Sequence, residues 1–191
     1  MDYQKKMEEL LASLGDRRPR LLLHACCTPC LSAPLELLSQ RFELTVFYYN
    51  PNIMPREEYE KRLGEFEKLR RYPFQLVAEP WDNEAFLAAI RGHEGDREGG
   101  ARCALCFRLR LGRTAERAAS EGFDFFGTTL TVSPHKNAAL LNSIGEELSA
   151  GTSIPWLYSD FKKREGYKRS IQLCRELDIY RQDYCGCRLE A

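Results

Sequence analysis

Apolar residues occur along the chain either in short continuous runs or in longer segments with helical spacing. The runs predict buried strands at residues 20–25, 43–49, 74–77 and 123–129. The spaced segments predict helices at residues 2–14, 34–38 (with Pro29 near the start), 55–71, 83–91, 103–122, 137–150 and 166–177. Strands that alternate with helices are typical of a mostly parallel sheet. We therefore expect one compact α/β domain over residues 1–191, Rossmann-like or HUP-like, with helices on both faces of the sheet.

Composition restricts the class of protein. A chain of 191 residues can bury one substantial core but is short for two domains. Hydrophobic residues make up 43% and charged residues 29%, as in globular proteins. No apolar run is long enough to span a bilayer, and the first seven residues lack the apolar segment of a signal peptide. We therefore expect a cytoplasmic protein that has no membrane partner.

Charge alone does not indicate a nucleic-acid partner, because 28 basic residues balance 28 acidic residues. Local clusters can still bind phosphates. Two such groups are Arg102, Arg108, Arg110 and Arg113, and then Lys162, Lys163, Arg164, Lys168 and Arg169. Rings that could stack on an unpaired base are Tyr48, Tyr49, Phe107 and Tyr184. The alternative is that the charges lie on solvated faces and the rings in the core.

The eight cysteines carry the chemistry. Seven of them form three groups: Cys26, Cys27 and Cys30, then Cys103 and Cys106, then Cys185 and Cys187. In a reducing compartment, thiols this close together indicate metal binding or redox chemistry more than disulfides. The first group follows the first strand directly, at the carboxyl edge where such sheets bind ligands. The eighth, Cys174, lies within a predicted helix, and we expect it to be a small buried apolar residue.

The number of thiols separates two kinds of metal site. Two C-x-x-C pairs suit a structural zinc site, which takes four ligands. Seven thiols exceed that number, and they suit a [4Fe–4S] cluster with ligands left for another metal. A zinc-stabilised RNA-binding module without catalysis is the alternative that spacing leaves open.

Further motifs run through the chain. They are His24-Ala25-Cys26-Cys27-Thr28-Pro29-Cys30, Asn50-Pro51-Asn52-Ile53, Glu58-Tyr59, Arg62, the segment from Cys103 to Leu109, Phe123-Asp124, Thr128-Thr129-Leu130, Ser133-Pro134-His135-Lys136, Asp160 to Lys163, Gly166-Tyr167, Ser170, and Tyr180 to Cys187. In kind and order they resemble those of the QueH type of epoxyqueuosine reductase. The resemblance runs from about Leu21 to Arg188, which leaves residues 1–20 as a helical extension.

This resemblance implies an iron–sulfur reductase that converts epoxyqueuosine to queuosine in tRNA, the last step of queuosine biosynthesis. It also implies, by position, that Cys26, Cys27, Cys103, Cys106, Cys185 and Cys187 are cofactor ligands of a [4Fe–4S] cluster and an adjacent mononuclear iron. Cys30 then belongs to the metal site as a ligand of the second iron, while the division of the other thiols between the metals stays open. The implied partners are a tRNA with epoxyqueuosine in its anticodon loop and an electron donor. The chain has no S-G-G-x-D-S phosphate loop, so we expect no use of ATP.

Removal of the epoxide oxygen needs two electrons and two protons. A cluster can supply low-potential electrons, and an adjacent iron can act as a Lewis acid toward the epoxide. Candidate catalytic residues for proton transfer are Tyr184, Asp160, Tyr167, His135 and Lys136. His24, at the end of a strand, is interpreted either as a hydrogen-bonded core residue or as a support for a metal ligand.

Overall fold

The computed structural model describes residues 1–187, which contain one four-stranded sheet and seven α-helices. The strands are β1 (Arg20–His24), β2 (Glu43–Tyr48), β3 (Gln75–Ala78) and β4 (Phe125–Thr128). The helices are α1 (Tyr3–Ser13), α2 (Thr28–Arg41), α3 (Arg56–Gly64), α4 (Asn83–Ala89), α5 (Ala101–Ser120), α6 (Ala138–Thr152) and α7 (Gly166–Glu176). All strand pairs are parallel, in the order β3-β2-β1-β4. The Rossmann-like α/β class expected from the sequence is therefore confirmed.

Side chains of β1 point alternately into two cores, one on each face of the sheet. Leu21 and Leu23 pack into a core with residues of α1, α2 and α7, whereas Leu22 packs into a core with residues of α5 and α6. This alternation follows from the two-residue period of an extended strand. All three leucines are fully buried, which explains why the strand is a continuous apolar run. The prediction of helices on both faces is confirmed.

The order of the strands creates a crevice beside β1. From β1 the chain proceeds outward through β2 to β3, and it then returns to place β4 on the opposite side of β1. The connections that follow β1 and β4 therefore leave in different directions, and ligands of open α/β sheets bind at such switch points. The amide of Thr129 donates a hydrogen bond of 2.9 Å to the carbonyl of His24 and joins the two strand ends. The first cysteine group begins two residues after His24, at this crevice.

Several element boundaries differ from the sequence-based prediction. Helix α2 begins at Thr28 instead of residue 34, so Pro29 lies in its first turn, where the missing amide hydrogen costs nothing. The helix expected over residues 55–71 is divided into α3 and a 3-10 helix, Glu65–Leu69. Strand β4 begins at Phe125 instead of Phe123, because the amide of Phe123 bonds to the carbonyl of Ala118 and closes the end of α5.

The amino-terminal helix is part of the main core. Met7, Leu11 and Leu14 are buried in the same cluster as the residues of α2. Ion pairs between Lys163 and Asp2 (3.1 Å) and between Arg164 and Glu8 (3.1 Å) add surface contacts. Within residues 1–187, none of the helices has the length and apolar character needed to cross a membrane.

Candidate metal centre and pocket

The first cysteine group lies on the loop between β1 and α2. The sulfur atoms of Cys26, Cys27 and Cys30 all lie within 4.8 Å of one another, and those of Cys26 and Cys27 are 3.6 Å apart. Cys27 is the N-cap of α2, and Cys30 lies in the first turn of that helix. The positive end of the helix dipole thus faces the three sulfurs and favours their thiolate forms.

The second group lies in the first two turns of α5, which has Gly100 as its N-cap. The amide of Gly99 donates to the sulfur of Cys103 at 3.2 Å. Cys106 is buried and lies in a small apolar cluster that Cys187 also contacts. A second helix amino terminus therefore faces the same edge of the sheet as the first, although burial raises the pKa of Cys106 to about 11.

The third group lies on the carboxy-terminal segment, which crosses the residues that follow β2. Arg62 donates from Nη1 to the carbonyl of Cys185 at 3.0 Å, and the amide of Met54 donates to the carbonyl of Gly186 at 3.0 Å. Gly186 has a φ of 121°, and a Cβ there would lie 3.0 Å from Cγ1 of Ile53. Glycine is needed between the two cysteines for both reasons.

The three groups meet at one place. An open pocket with a volume of about 270 Å³ is lined by Cys26, Cys27, Cys30 and Cys185. A neighbouring cavity of about 20 Å³ is lined by Cys103 and Cys185, so Cys185 borders both spaces. The remaining two members of the three groups, Cys106 and Cys187, pack together in the adjacent cluster. All eight cysteines are free thiols, and Cys174 is buried in α7, as expected.

The thiols of the first and third groups differ in pKa. Hydrogen bonds from Cys27 and Cys30 hold the pKa of Cys26 well below its ordinary value, whereas hydrogen bonds with Cys26 and Cys27 raise the pKa of Cys30. The hydrogen bond with Cys26 raises the pKa of Cys27 to about 12. In the tail, the hydrogen bond from Cys187 lowers the pKa of Cys185 to about 5. The tail group therefore holds a thiolate at neutral pH, and in the group after β1 the lowered pKa of Cys26 favours the thiolate, the form that binds metal.

Four cationic side chains line the pocket: Arg62, Arg110, Lys136 and Arg181. Arg62 forms a buried ion pair of 2.7 Å with Glu58. Burial disfavours the charge on Lys136, but the electrostatic effect of the sulfurs of Cys185, Cys26 and Cys30 outweighs it and raises the pKa of Lys136 above the ordinary value. The site therefore combines anionic sulfur with fixed positive charge.

His24 lies at the base of the site in a hydrogen-bonded position. Nδ1 is 2.9 Å from Oγ1 of Thr128, and Nε2 is 3.1 Å from the carbonyl of Tyr49 and 3.2 Å from Oδ1 of Asn50. Complete burial lowers the pKa of His24 to about 3, so the ring is neutral. Of the two interpretations, the hydrogen-bonded core residue is confirmed.

Four of the five residues predicted to transfer protons line the pocket: Tyr184, Tyr167, His135 and Lys136. The hydroxyl of Tyr167 accepts a hydrogen bond of 2.7 Å from Arg181, which is also part of the lining. Asp160 lies elsewhere among the described residues, buried and paired with Lys162 at 2.9 Å. Its predicted role in catalysis has no support from this position.

Most charges that were considered for phosphate binding are already neutralised or buried. Arg102 and Arg110 are buried, and ion pairs with carboxylates occupy Arg108, Arg113, Lys162, Lys163, Arg164, Lys168 and Arg169. Three of the four proposed stacking rings, Tyr48, Tyr49 and Phe107, belong to the core, and only Tyr184 lines the pocket. The alternatives of paired surface charges and core rings are therefore correct for most of these residues.

Sequence reasoning missed the structural importance of Arg62, Glu58 and Arg110. The residue type alone gave no sign that Arg62 lies beneath the carboxy-terminal segment or that Arg110 lies beneath the thiols. A usable signal existed for Arg62 and Glu58, because both occur in motifs of the family resemblance.

Comparison with known proteins supports the same family. The sequence model of the family described as epoxyqueuosine reductase QueH matches residues 21–190. A relative of that name from Streptococcus pyogenes serotype M1 is 39% identical over 197 residues, covering 98% of this chain and 77% of the relative. Relatives of the same name from Staphylococcus aureus and Dehalococcoides mccartyi are 35% and 36% identical; the alignments cover 98% and 88% of this chain, and 82% and 91% of the respective relatives. The chain is a member of the epoxyqueuosine reductase QueH family.

Proposed function

We propose that this protein is an oxidoreductase that reduces epoxyqueuosine to queuosine in tRNA. Two electrons and two protons enter the reaction. Both carbon–oxygen bonds of the epoxide break, the oxygen leaves as water, and a carbon–carbon double bond forms. The observation that carries the proposal is the meeting of three cysteine groups around one open pocket in a chain of this family. We propose that the whole chain acts as one reductase domain.

The thiols around the pocket fit an iron–sulfur centre. Seven sulfurs are more than one zinc ion can use, and three of them lie within 4.8 Å of one another. Buried Nη2 of Arg62 and Nε of Arg110 have no hydrogen-bond partner within residues 1–187, as expected beside a group that brings acceptors of its own. We assign Cys26, Cys27, Cys103, Cys106, Cys185 and Cys187 as candidate ligands of a [4Fe–4S] cluster, and Cys30 to a neighbouring iron. Such a centre supplies single electrons at low potential.

A pocket of about 270 Å³ is too small for an RNA stem, and we propose that it receives a single modified nucleoside. Its lining combines the thiols with polar side chains of the segments 133–136 and 181–184. A nucleoside must therefore leave the stacked anticodon loop before it can enter, as enzymes that act on bases require. Tyr184 is positioned to contact the base within the pocket.

We assign charge stabilisation and proton donation to different polar residues of the pocket. Lys136 is held as a cation by the surrounding thiolates, so we assign it to stabilise negative charge that develops on the epoxide oxygen. Protons are assigned to the remaining polar groups of the lining, His135, Tyr167 and Tyr184.

Arg181 is the proposed contact to the tRNA phosphates. It lines the pocket, and in contrast to its basic neighbours on the segment 162–169 it has no carboxylate within ion-pair distance in the described part of the chain. An exposed cation without a carboxylate partner retains its full attraction for phosphate. The electron donor is proposed to be an external one-electron carrier. We propose that the protein acts in the cytoplasm, where tRNA is available and thiols stay reduced.

The test is anaerobic reconstitution with iron and sulfide, followed by incubation with tRNA that carries epoxyqueuosine and dithionite as reductant. The modified nucleoside is expected to lose about 16 mass units, which is one oxygen atom. Recovery of a colourless protein with stoichiometric zinc and no activity would contradict the proposal. That result would favour a zinc-stabilised RNA-binding module.

A further inference from the structure

Arg110 lies on α5 one turn after Cys106, with its guanidinium directed toward the thiols. We propose that its fixed positive charge sets the reduction potential of the iron–sulfur centre, an inference that rests on the proposed function for the presence of that centre. Arg110 acts through the sulfur ligands and has no assigned contact with substrate, so its role is that of a positioning residue.

The first reason is that Arg110 carries a buried charge without a carboxylate partner. Only 1% of the residue is exposed, and no carboxylate of residues 1–187 lies within 4.0 Å of its nitrogens. A buried guanidinium needs a compensating negative charge, since isolated ions are poorly solvated inside proteins. The sulfur of Cys106 lies 3.8 Å from Nη1 and would provide that charge as a ligand of the cluster.

The second reason is that sulfurs of all three cysteine groups lie around the same guanidinium. Nη1 of Arg110 is 3.8 Å from the sulfur of Cys106, and Arg110 lines the pocket together with Cys26 and Cys185. These three residues belong to α5, to the loop after β1 and to the tail, respectively. The arginine is therefore the common counter-charge of the whole sulfur set.

The third reason is that the guanidinium is held in a fixed orientation. Its Nη2 donates a hydrogen bond of 2.6 Å to Oδ1 of Asn50. Asn50 in turn lies 3.2 Å from Nε2 of His24 and donates from Nδ2 to the carbonyl of Ala25 at 2.9 Å. This network ties the charge to the end of β1, where the first cysteine group begins.

The other three cations at the pocket are less able to serve this purpose, and of these Arg181 is exposed to solvent. Arg62 is compensated by Glu58 at 2.7 Å. Lys136 is only partly buried, so solvent screens its charge more strongly. One-electron reduction of a cluster adds a negative charge, and an uncompensated buried cation stabilises that reduced state. Net charge and hydrogen bonds to sulfur are known determinants of cluster potential.

The test compares Arg110→Gln with Arg108→Gln in the reconstituted full-length protein. Arg108 lies on the same helix, but its side chain is 48% exposed and paired with Glu147, so the control removes an equal charge at the surface. Midpoint potentials are measured by anaerobic redox titration with dithionite, followed by electron paramagnetic resonance. Arg110→Gln is expected to lower the equilibrium constant for one-electron reduction at least tenfold, about 59 mV. The control is expected to match the unmodified protein, and equal potentials in all three proteins would overturn the inference.

Two further variants test the inference if Arg110→Gln does not fold. Arg110→Lys keeps the charge and is expected to stay close to the original potential. Asn50→Asp places a carboxylate beside the guanidinium and is expected to lower the potential in the same direction as loss of the charge. An unchanged potential in Asn50→Asp, or a tenfold loss in Arg110→Lys, would overturn the inference. Activity of the unmodified protein on tRNA is measured separately, so an active enzyme with these negative results would leave the proposed function standing. Failure of the unmodified protein to assemble a cluster would overturn both.

Discussion

Arg62 donates a hydrogen bond of 3.0 Å to the carbonyl oxygen of Cys185, a residue 123 positions further along the chain. Glu58 holds the same guanidinium at 2.7 Å, and the amide of Met54 bonds to the neighbouring carbonyl of Gly186. These contacts fasten the carboxy-terminal segment to the residues after β2. We expect the thiols of Cys185 and Cys187 to lie beside the other five only while these contacts hold the segment in place.

Glu58→Gln is expected to weaken this attachment. It leaves Arg62 buried without its carboxylate, which costs about 3–5 kcal/mol in comparable buried pairs. Glu60→Gln is the matched control, because Glu60 forms an exposed pair with Arg56 on the same helix and is expected to cost less than about 1 kcal/mol. Denaturant unfolding and iron content after reconstitution measure both effects. If the two variants behaved alike, the attachment would have no importance for the site.

Gly186→Ala is expected to displace Cys185 and Cys187 while leaving the domain folded. The left-handed backbone costs an alanine about 1–2 kcal/mol, and its Cβ would also meet Ile53 at 3.0 Å. Gly112→Ala is the control, since a Cβ there meets nothing within 4 Å and alanine favours a helix by about 1 kcal/mol. Circular dichroism and iron content are measured for each variant. Full iron content in Gly186→Ala would contradict the assignment of the tail thiols.

Cys103→Ala is expected to lower iron content and abolish reductase activity. Cys174→Ala removes a thiol that is buried in α7 and is expected to keep both. The control loses the same side chain at a more buried position, so a general effect of the substitution would appear in both variants. Iron and sulfide analysis with the absorbance of the thiolate–iron bands distinguishes them. An unimpaired Cys103→Ala would remove α5 from the ligand set.

Arg181→Gln is expected to raise KM for the modified tRNA several-fold with little change in kcat. Loss of one phosphate contact also lowers the slope of log affinity against log salt by about one. Lys168→Gln is the control, because Lys168 is exposed but paired with Glu165 at 2.9 Å. Steady-state kinetics and binding at several salt concentrations provide the measurement. A salt slope that is unchanged in Arg181→Gln would exclude this phosphate contact.

Stability is expected to depend on pH through Glu36 of α2, which binds Arg169 of α7 at 2.7 and 2.9 Å. The hydrogen bond from Arg169 lowers the pKa of Glu36 below its ordinary value of 4.5. The unfolded chain therefore binds the proton more readily, and the stabilisation present above pH 4.5 is lost as pH falls through the lower pKa of the folded state. Both side chains are about one-third exposed, so Glu36→Gln is expected to cost only about 1 kcal/mol at pH 7.

Urea unfolding at pH 7 and near pH 3 measures this effect, and the difference between Glu36→Gln and the original protein is expected to shrink at the lower pH. Glu176→Gln removes the weaker contact of 3.4 Å to the same arginine and serves as the control. A difference that persisted unchanged at low pH would show that the ion pair is not its source.

The order of elements could be predicted from sequence because each signal is local. The apolar run of Leu21 to Leu23 and the helical spacing around Leu11 depend on residues that are neighbours in the chain. The sequence predicts α2 from Pro34 with Pro29 near the start, and the structure begins the helix at Thr28 with Pro29 in its first turn. Local signals define such an end only to within a few residues.

The candidate chemistry of the site could also be predicted from the sequence, because seven thiols in three close groups indicate metal binding or redox chemistry. Spacing within each group made a shared metal feasible, and the family motifs identified the kind of reaction. The convergence of the three cysteine groups depends on the tertiary structure. The strand order places the loop after β1 at the switch point of the sheet, and the contact of Arg62 with Cys185 brings the carboxy-terminal segment to the same place.

Only the tertiary structure decided the roles of the charged residues. Arg110 and Arg108 are two positions apart on one helix, yet one is buried beneath the thiols and the other is paired at the surface. The sequence alone does not distinguish the two arginines, because burial and counter-charge depend on residues that are distant in the chain. A charge acquires its effect from the dielectric and the partners that the fold provides, and only long-range packing determines these.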